Sequence, residues 1–178
     1  MKESIRQESR TFGTLADEAA EYAARKGAIS EKKLSRALGI FRPTAAKLLA
    51  AFVVAGAARE IGRGKFAFLP AAYRPTDGGA EGYLPLAETD AAFSEVGVRG
   101  YLKGTLLPAL KIGLTYGSLS VIFLERKMSV GYERAHEVYD LIAVAGLLGE
   151  EDGQNPGRRL LTLSPARYDE LYAEVNAE

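Results

Sequence analysis

The feature that most constrains the fold is a stretch of 30 residues that occurs twice, 90 positions apart. Residues 27–56 read GAISEKKLSRALGIFRPTAAKLLAAFVVAG, and residues 117–146 read GSLSVIFLERKMSVGYERAHEVYDLIAVAG. Aligned without a gap, eight of the 30 positions are identical and five more exchange one apolar residue for another. The shared positions are mostly helix caps and apolar residues at helical spacing. We therefore expect two copies of one module that present two different surfaces.

Each copy predicts a short helix, a tight turn and a longer helix. Ser30 and Ser120 can each cap the first helix, because a serine oxygen accepts hydrogen bonds from the free N–H groups there. Gly56 and Gly146 follow the second helix, where glycine readily adopts the left-handed conformation that ends a helix. Both copies therefore predict a helix-turn-helix.

A short β-hairpin is predicted after each helix-turn-helix. Residues 57–61 and 65–69 alternate around a Gly-Arg-Gly turn, and residues 147–149 and 159–163 flank a polar loop. Helix, turn, helix and hairpin are the pattern of a winged helix. The predicted fold class is therefore mainly α with small β-wings, in two tandem winged helix-turn-helix domains.

The domain boundaries are predicted from a segment rich in proline and glycine. We expect a first domain at 1–70, a Pro- and Gly-rich linker at 71–100 in which Tyr73 and Tyr83 can contact a domain, and a second domain at 101–178. Thr14 is the predicted cap of the first helix. Gly97 to Gly100 should interrupt helical structure, and Pro108 should delay or kink the helix over 101–116. A final helix, 165–176, should place Tyr168, Leu171, Tyr172 and Val175 on one face.

Composition sets limits on location and partners. The chain has no cysteine, no apolar run of ~18 residues and no apolar core near its N-terminus of the kind found in signal peptides. We expect a cytoplasmic, nucleoid-associated protein without a membrane partner. Residues 1–75 carry 14 Lys and Arg against seven Asp and Glu, whereas residues 116–178 carry six against 11. That asymmetry indicates that the two domains meet different partners.

A string in the second domain matches a known pattern. It contains Gly-Tyr-x-Arg-Ala at 131–135, and further matches lie at Ser118, Ser120, Leu124, Arg126, Gly146, Gly153 and Arg158. From about Leu106 to Leu163 the sequence resembles the gamma domain at the C-terminus of FtsK-type DNA translocases. The resemblance implies a winged-helix fold. It also implies DNA reading, because the family domain reads a short sequence that orients the motor and touches a tyrosine recombinase.

The chain departs from that family in two respects. Where the family has Gln, Asn and Arg, this sequence has Glu125, Glu133 and Glu137, and carboxylates on a groove-facing helix repel phosphate. The sequence also lacks the G-x-x-x-x-G-K-[ST] pattern of a nucleotide-driven motor. The resemblance therefore implies a fold and an ancestry more than the translocase activity.

The first domain has the basic surface that the second lacks. Its second helix should present Thr44, Lys47 and Ala51 to a DNA groove, with Arg42 at its head, and neighbouring cations should contact the backbone. The alternative is a solvated basic face on a protein-binding module. Over both domains the candidate DNA-binding residues are Lys32, Lys33, Arg36, Arg42, Thr44, Lys47, Arg63, Lys65, Arg126, Arg134, Arg158 and Arg159.

The sequence favours no catalytic site. His136 is the single histidine, and a metal site needs two or more suitably spaced ligands. The serines have no paired base. We expect neither an enzyme nor a cofactor or metal.

Two classes of function remain open. The first is a double-stranded DNA-binding protein, sequence-specific, acting in transcription regulation or in plasmid, phage or chromosome replication or partition. Its residues 101–178 would then form a homodimer or contact a protein partner. The second is a tandem winged-helix adaptor in chromosome segregation that acts through protein contacts without reading DNA.

Overall fold

The computed structural model describes residues 11–73, here the first half, and residues 97–177, the second half. The first half begins with a long helix and continues with a short strand, two helices and a hairpin that ends in a single 3-10 turn at Pro70–Ala72. Its elements are α1 Phe12–Lys26, β1 Ala28–Ile29, α2 Glu31–Leu38, α3 Arg42–Ala55, β2 Ala58–Gly62 and β3 Lys65–Phe68.

The second half repeats that order and adds a C-terminal helix. Its first helix is divided by a π-turn at Leu102–Leu106. Its elements are α4 Gly97–Tyr101, α5 Leu107–Tyr116, β4 Ser118–Leu119, α6 Val121–Met128, α7 Tyr132–Val144, β5 Leu148–Glu151, β6 Arg159–Leu161 and α8 Pro165–Asn176. Strands β1 and β4, helices α2 and α6, and the first residues of α3 and α7 lie 90 positions apart.

Local capping chemistry defines most helix ends. Ser30 accepts from the amide of Lys33 at 3.3 Å, and Ser120 accepts from that of Phe123 at 3.0 Å, so both predicted caps are confirmed. The prediction of Thr14 as the first cap is wrong. Thr11 caps α1 and accepts from the Thr14 amide at 3.1 Å. The helix begins about one turn earlier than predicted because its first residue, Phe12, is fully buried in the core.

Each half contains one three-stranded antiparallel sheet. The strand orders are β1-β3-β2 and β4-β6-β5, so in both the strand before the helix pair lies beside the last strand of the hairpin. Ile29 is opposite Phe66, and Leu119 is opposite Arg159. A mainly helical chain with small antiparallel sheets in this order is compatible with the winged-helix fold.

The helix before β4 starts earlier than predicted. Gly97–Tyr101 is helical, so the predicted interruption at Gly97 to Gly100 is wrong from Gly97 onward. Pro108 lies in the first turn of α5, directly after the π-turn. Proline has no N–H to donate and its ring clashes with the preceding turn, and the wider π-turn accommodates both effects without ending the helix.

The buried apolar side chains form one cluster that includes residues of both halves. Helix α1 packs against α7, and α3 packs against α4 and α7. All side chains from Thr44 to Val54 are buried. Within residues 11–73 and 97–177, no single helix is long and apolar enough to cross a membrane, although the bent pair α2 and α3 meets the length and composition criteria together.

Two peripheral segments are anchored to this core. Tyr73 donates a hydrogen bond to Asp17 Oδ1 at 2.5 Å, as expected for a residue that fixes the predicted linker to a domain; Tyr83 lies outside the described residues. Helix α8 folds back on α5. It buries Tyr168, Leu171 and Val175, whereas Tyr172 is 54% exposed. Tyr172 therefore lies outside the buried face of α8 that was predicted to include it.

Candidate nucleic-acid interface

Six of the predicted cations of the first half are exposed, and we call them the basic surface. Three lie on α2, one is the first residue of α3, and two lie in or beside the hairpin turn: Lys32, Lys33, Arg36, Arg42, Arg63 and Lys65. Exposed cations of this kind are available to phosphate oxygens.

The sheet brings one hairpin cation close to the start of α2. The β1–β3 ladder ends at the pair Ile29 and Phe66. Ser30, the cap of α2, follows Ile29, and Lys65 precedes Phe66, so α2 and Lys65 extend from the same end of this strand pair. The hairpin and the helix therefore present positive charge together.

A groove of about 440 Å³ lies between α6, the beginning of α7 and the loop of the second hairpin. Its polar lining includes Ser120, Arg126, Tyr132 and Arg158, four residues that carry the resemblance to the FtsK gamma domain. Its walls also include Ile122 and Phe123. This α6–α7 groove thus combines two guanidinium groups with aromatic and aliphatic surface.

The hairpin loop holds Arg158 in this groove. Asp152 accepts hydrogen bonds from the Gln154 amide at 2.9 Å and from the Asn155 side chain at 2.8 Å. The bond from Asn155, followed by that from Gln154, holds the pKa of the Asp152 carboxyl below its usual range. The Arg158 amide donates to the Asn155 carbonyl at 3.1 Å, so the loop closes immediately before the arginine.

The sequence prediction missed Ile122, in the wall of the groove, and Lys127, close to its Phe123. Lys127 donates to the Tyr116 hydroxyl at 3.1 Å, and its Nζ lies 4.6 Å from the centroid of that ring. Ile122 is 61% exposed and Tyr132 is 56% exposed. The available signal for Ile122 was its position, two residues before Leu124 and therefore off the apolar face of α6.

Three polar positions recur in both halves. Ser30 corresponds to Ser120 and Arg36 to Arg126 in the repeat. Ile29 and Leu119 also correspond in the repeat. Lys65 directly precedes Phe66, the residue opposite Ile29, and Arg158 directly precedes Arg159, the residue opposite Leu119. Each half therefore has a capping serine, an arginine on the first helix of the pair and a cation on the adjacent hairpin.

The structure corrects the prediction for Thr44 and Lys47. These side chains are 2% and 1% exposed, because the side of α3 that carries them packs against the second half instead of facing solvent. Neither can reach a DNA groove in this arrangement. The sequence did contain a sign of this burial. Lys47 is the single charged residue between Thr44 and Val54, and a helix that is apolar on all sides is typically buried.

Two predicted arginines of the second half have internal partners. Arg134 donates to Glu137 Oε2 at 3.4 Å. Arg159 donates to the Gly149 carbonyl at 2.8 Å and to that of Leu148 at 3.3 Å, so it ties the two strands of the hairpin together. Unlike Arg126 and Arg158, neither lines the α6–α7 groove.

The single histidine belongs to a local pair. His136 Nδ1 lies 2.9 Å from Asp140 Oδ2, one helical turn further along α7, and its ring lies 5.8 Å from that of Tyr132. Among residues 11–73 and 97–177, no group of three or more His, Asp or Glu side chains is arranged to hold a metal ion.

Sequence comparison finds that part of this mainly helical chain is similar to a DNA translocase. It is 30% identical over 100 residues, 56% of its length, to the DNA translocase FtsK of Streptococcus agalactiae serotype V. The chain spans 11% of the length of that relative. No family model matches the sequence, and no solved structure matches it. The similarity supports the resemblance to FtsK noted from the residues of the second half.

Proposed function

We propose that this chain is a double-stranded DNA-binding protein built from two tandem winged helices, acting without catalysis and without a cofactor. The observation that carries the proposal is the basic surface, six exposed cations on α2, the start of α3 and the adjoining hairpin. The sequence similarity to a DNA translocase supports it independently. Phosphate neutralisation by such cations supplies most of the affinity for duplex irrespective of sequence.

Sequence-specific contacts would come from the ends of the helix pairs, because the middle of α3 is inside the protein. In the first half Arg42 stands at the exposed beginning of α3. In the second half Arg126 and Tyr132 stand at the mouth of the α6–α7 groove. Arginine can pair with two acceptors of guanine at once. These contacts would suit a nucleoid-associated protein in transcription regulation or in replication or partition of a plasmid, phage or chromosome.

A titration of labelled duplex at several salt concentrations tests this proposal. Lys33→Ala should weaken binding and lower the slope of log affinity against log salt by about 0.9, the value for one phosphate contact. Lys103 is another exposed lysine, in the π-turn of the second half, so Lys103→Ala is the matched control and should change neither quantity. Equal effects of the two changes, or no duplex binding by the unchanged protein, would exclude the basic surface as a DNA interface.

The burial of α3 favours a second candidate function, a tandem winged-helix adaptor in chromosome segregation that makes protein contacts only. The exposed Ile122 and Tyr132 beside the groove would then bind a protein partner or a second copy of residues 101–178. Ile122→Ser separates the two functions, because it removes apolar contact area while leaving every cation in place. A loss of partner binding or self-association with unchanged duplex affinity favours the adaptor.

A further inference from the structure

A buried ion pair lies between the two halves, which an exposed pair, Arg99 with Glu60 at 3.5 Å, also joins. Lys47 Nζ on α3 lies 2.6 Å from Glu137 Oε1 on α7, and the two side chains are 1% and 4% exposed. The second carboxylate oxygen accepts from the Tyr101 hydroxyl at 3.2 Å and from Arg134 at 3.4 Å. The charge of Glu137 is thus fully engaged by groups from both halves.

Lys47 and Glu137 occupy the same position of the repeat. They lie 90 residues apart, the offset that relates α2 to α6 and the start of α3 to that of α7. A two-fold axis between two copies brings residues near it against their own counterparts, as in an interface between identical subunits. The other contacts agree, because α1 of the first half packs on α7 while α4 of the second half packs on α3.

Two further apolar positions of this helix face are alike in the two copies. One and two turns beyond Lys47 lie Ala51 and Val54, and the corresponding residues beyond Glu137 are Leu141 and Val144. All four are buried and apolar. Apolar contacts are not directional and would serve a pair of like halves as well as a pair of unlike halves. Of these positions, only Lys47 and Glu137 distinguish a pair of like halves from a pair of unlike halves. The buried Asp140, one turn beyond Glu137, has its own partner in His136 at 2.9 Å.

We propose that the contact between α3 and α7 is a docking surface that accepts the other half of the chain and excludes a second copy of the same half. Pairing two first halves would place Lys47 against Lys47, and pairing two second halves would place Glu137 against Glu137. Two first halves would hold two buried ammonium groups without Glu137, and two second halves would hold two buried carboxylates with the longer contact to the partly exposed Arg134, 3.4 Å, in place of the contact to Lys47, 2.6 Å. Like charges held out of water in this way are unfavourable, and such juxtaposition is a common basis of pairing specificity. The inference goes beyond DNA binding and is independent of it.

Charge reversal in the full chain tests the pairing. Lys47→Glu and Glu137→Lys should each lower Tm by roughly 10 °C, since each leaves two like charges in a buried site. The double variant exchanges the charges and should recover at least half of that loss. If neither single variant folds but the double variant does, the result supports the proposal equally. A double variant at least as unstable as the worse single variant overturns it.

The choice of partner is tested by mixing the two single variants. When the Lys47→Glu and Glu137→Lys chains are refolded together, exchange of halves restores an opposite-charge pair at both contacts. Light scattering should then show a species of twice 19.1 kDa that contains both chains, absent when either chain refolds alone.

The matched control for the mixing experiment uses two exposed positions. Lys103→Glu and Glu150→Lys chains carry the same charge changes away from the axis, and their mixture should remain monomeric. If the axial variants form no mixed species, or if each forms as much dimer alone as together, the pairing specificity is refuted. These readouts contain no DNA, so they stand or fall separately from the proposed DNA-binding function.

Discussion

The guanidinium carbon of Arg158 lies 3.8 Å from the centroid of the Phe123 ring. This contact joins the hairpin loop to α6 across the α6–α7 groove. Arginine stacks on an aromatic face while its N–H groups remain free to donate at their edges, so Phe123 orients the cation without neutralising it. The arrangement suits a group that contacts a phosphate, and it makes Arg158 the most informative residue of the second half.

Replacement of Arg158 should affect duplex binding through both charge and orientation. Arg158→Ala should lower the salt slope by about 0.9 if one phosphate contact is lost. Arg158→Lys keeps the charge but not the planar stacking group, so we expect an affinity between those of the alanine variant and the unchanged protein. Fluorescence anisotropy at three salt concentrations measures both quantities. An affinity that neither change alters would place Arg158 outside the interface.

Lys47 should contribute to stability and not to duplex affinity. Lys47→Met removes the cation closest to the buried Glu137 carboxylate, and breaking a buried ion pair costs about 3–5 kcal/mol, whereas the affinity of the remaining folded protein for duplex should be unchanged. Chemical unfolding gives the first quantity and a duplex titration below the unfolding temperature gives the second. A lower salt slope in the folded variant would restore Lys47 to the DNA interface.

The turn between α6 and α7 contains a strained residue. Ser129 has φ 54°, and it is the one non-glycine residue with positive φ among those the structure describes. The first half has Gly39 at the same point, with φ 65°. Ser129→Gly should therefore stabilise the protein by about 1 kcal/mol, measured by urea unfolding.

The reciprocal change in the other turn is the control for this prediction. Gly39→Ser introduces a side chain at the left-handed position and should destabilise by a similar amount, although its new Cβ would meet no atom within 4 Å. A destabilising Ser129→Gly would mean that the serine side chain, and not the backbone conformation, decides the stability of this turn.

Stability should fall in alkaline solution in part through Tyr73. Burial, and secondly the hydrogen bond to Asp17, raise the pKa of the Tyr73 hydroxyl above its usual value. A group with a raised pKa in the folded state stabilises the fold below its unfolded pKa of about 10 and loses that contribution as the pH rises further. Tyr73→Phe should flatten the dependence of Tm on pH above 10. If Tm falls equally with pH above 10 in the unchanged protein and in Tyr73→Phe, Tyr73 does not contribute to the alkaline loss of stability.

The elements that the sequence predicted well are those specified by neighbouring residues. Ser30 and Ser120 cap the helices that follow them, and Gly56 and Gly146 end helices with φ of 80° and 74°. Each signal acts within about one turn of helix, so it can be read without knowledge of the tertiary structure. The hairpins could be predicted for the same reason. Alternation of apolar and polar residues, a glycine turn and a polar loop are local properties of the sequence.

The features that were missed depend on contacts between distant parts of the chain. Lys47 was predicted to face DNA because it lies on the presumed reading helix of a winged-helix pattern. The apolar run around it indicated burial, but its partner Glu137, 90 residues away, could not be read from neighbouring residues. Likewise the glycines at 97 and 100 suggested an interruption, but Val98 and Tyr101 are buried beside α3. Apolar contact with another element outweighs the helix propensity of glycine, which costs only about 1 kcal/mol per residue.

The π-turn at Leu102–Leu106 also determines which deletions the first helix of the second half can accept. Its hydrogen bonds join residues i and i+5, so the turn holds one residue more than a turn of α-helix. Deleting one residue there would leave α-helical hydrogen bonding, with α4 and α5 facing the same neighbours as before. The same deletion would bring the ring of Pro108 against the carbonyl of the preceding α-turn. The insertion and the proline therefore depend on each other, and the deletion should be tolerated only when Pro108 is replaced as well.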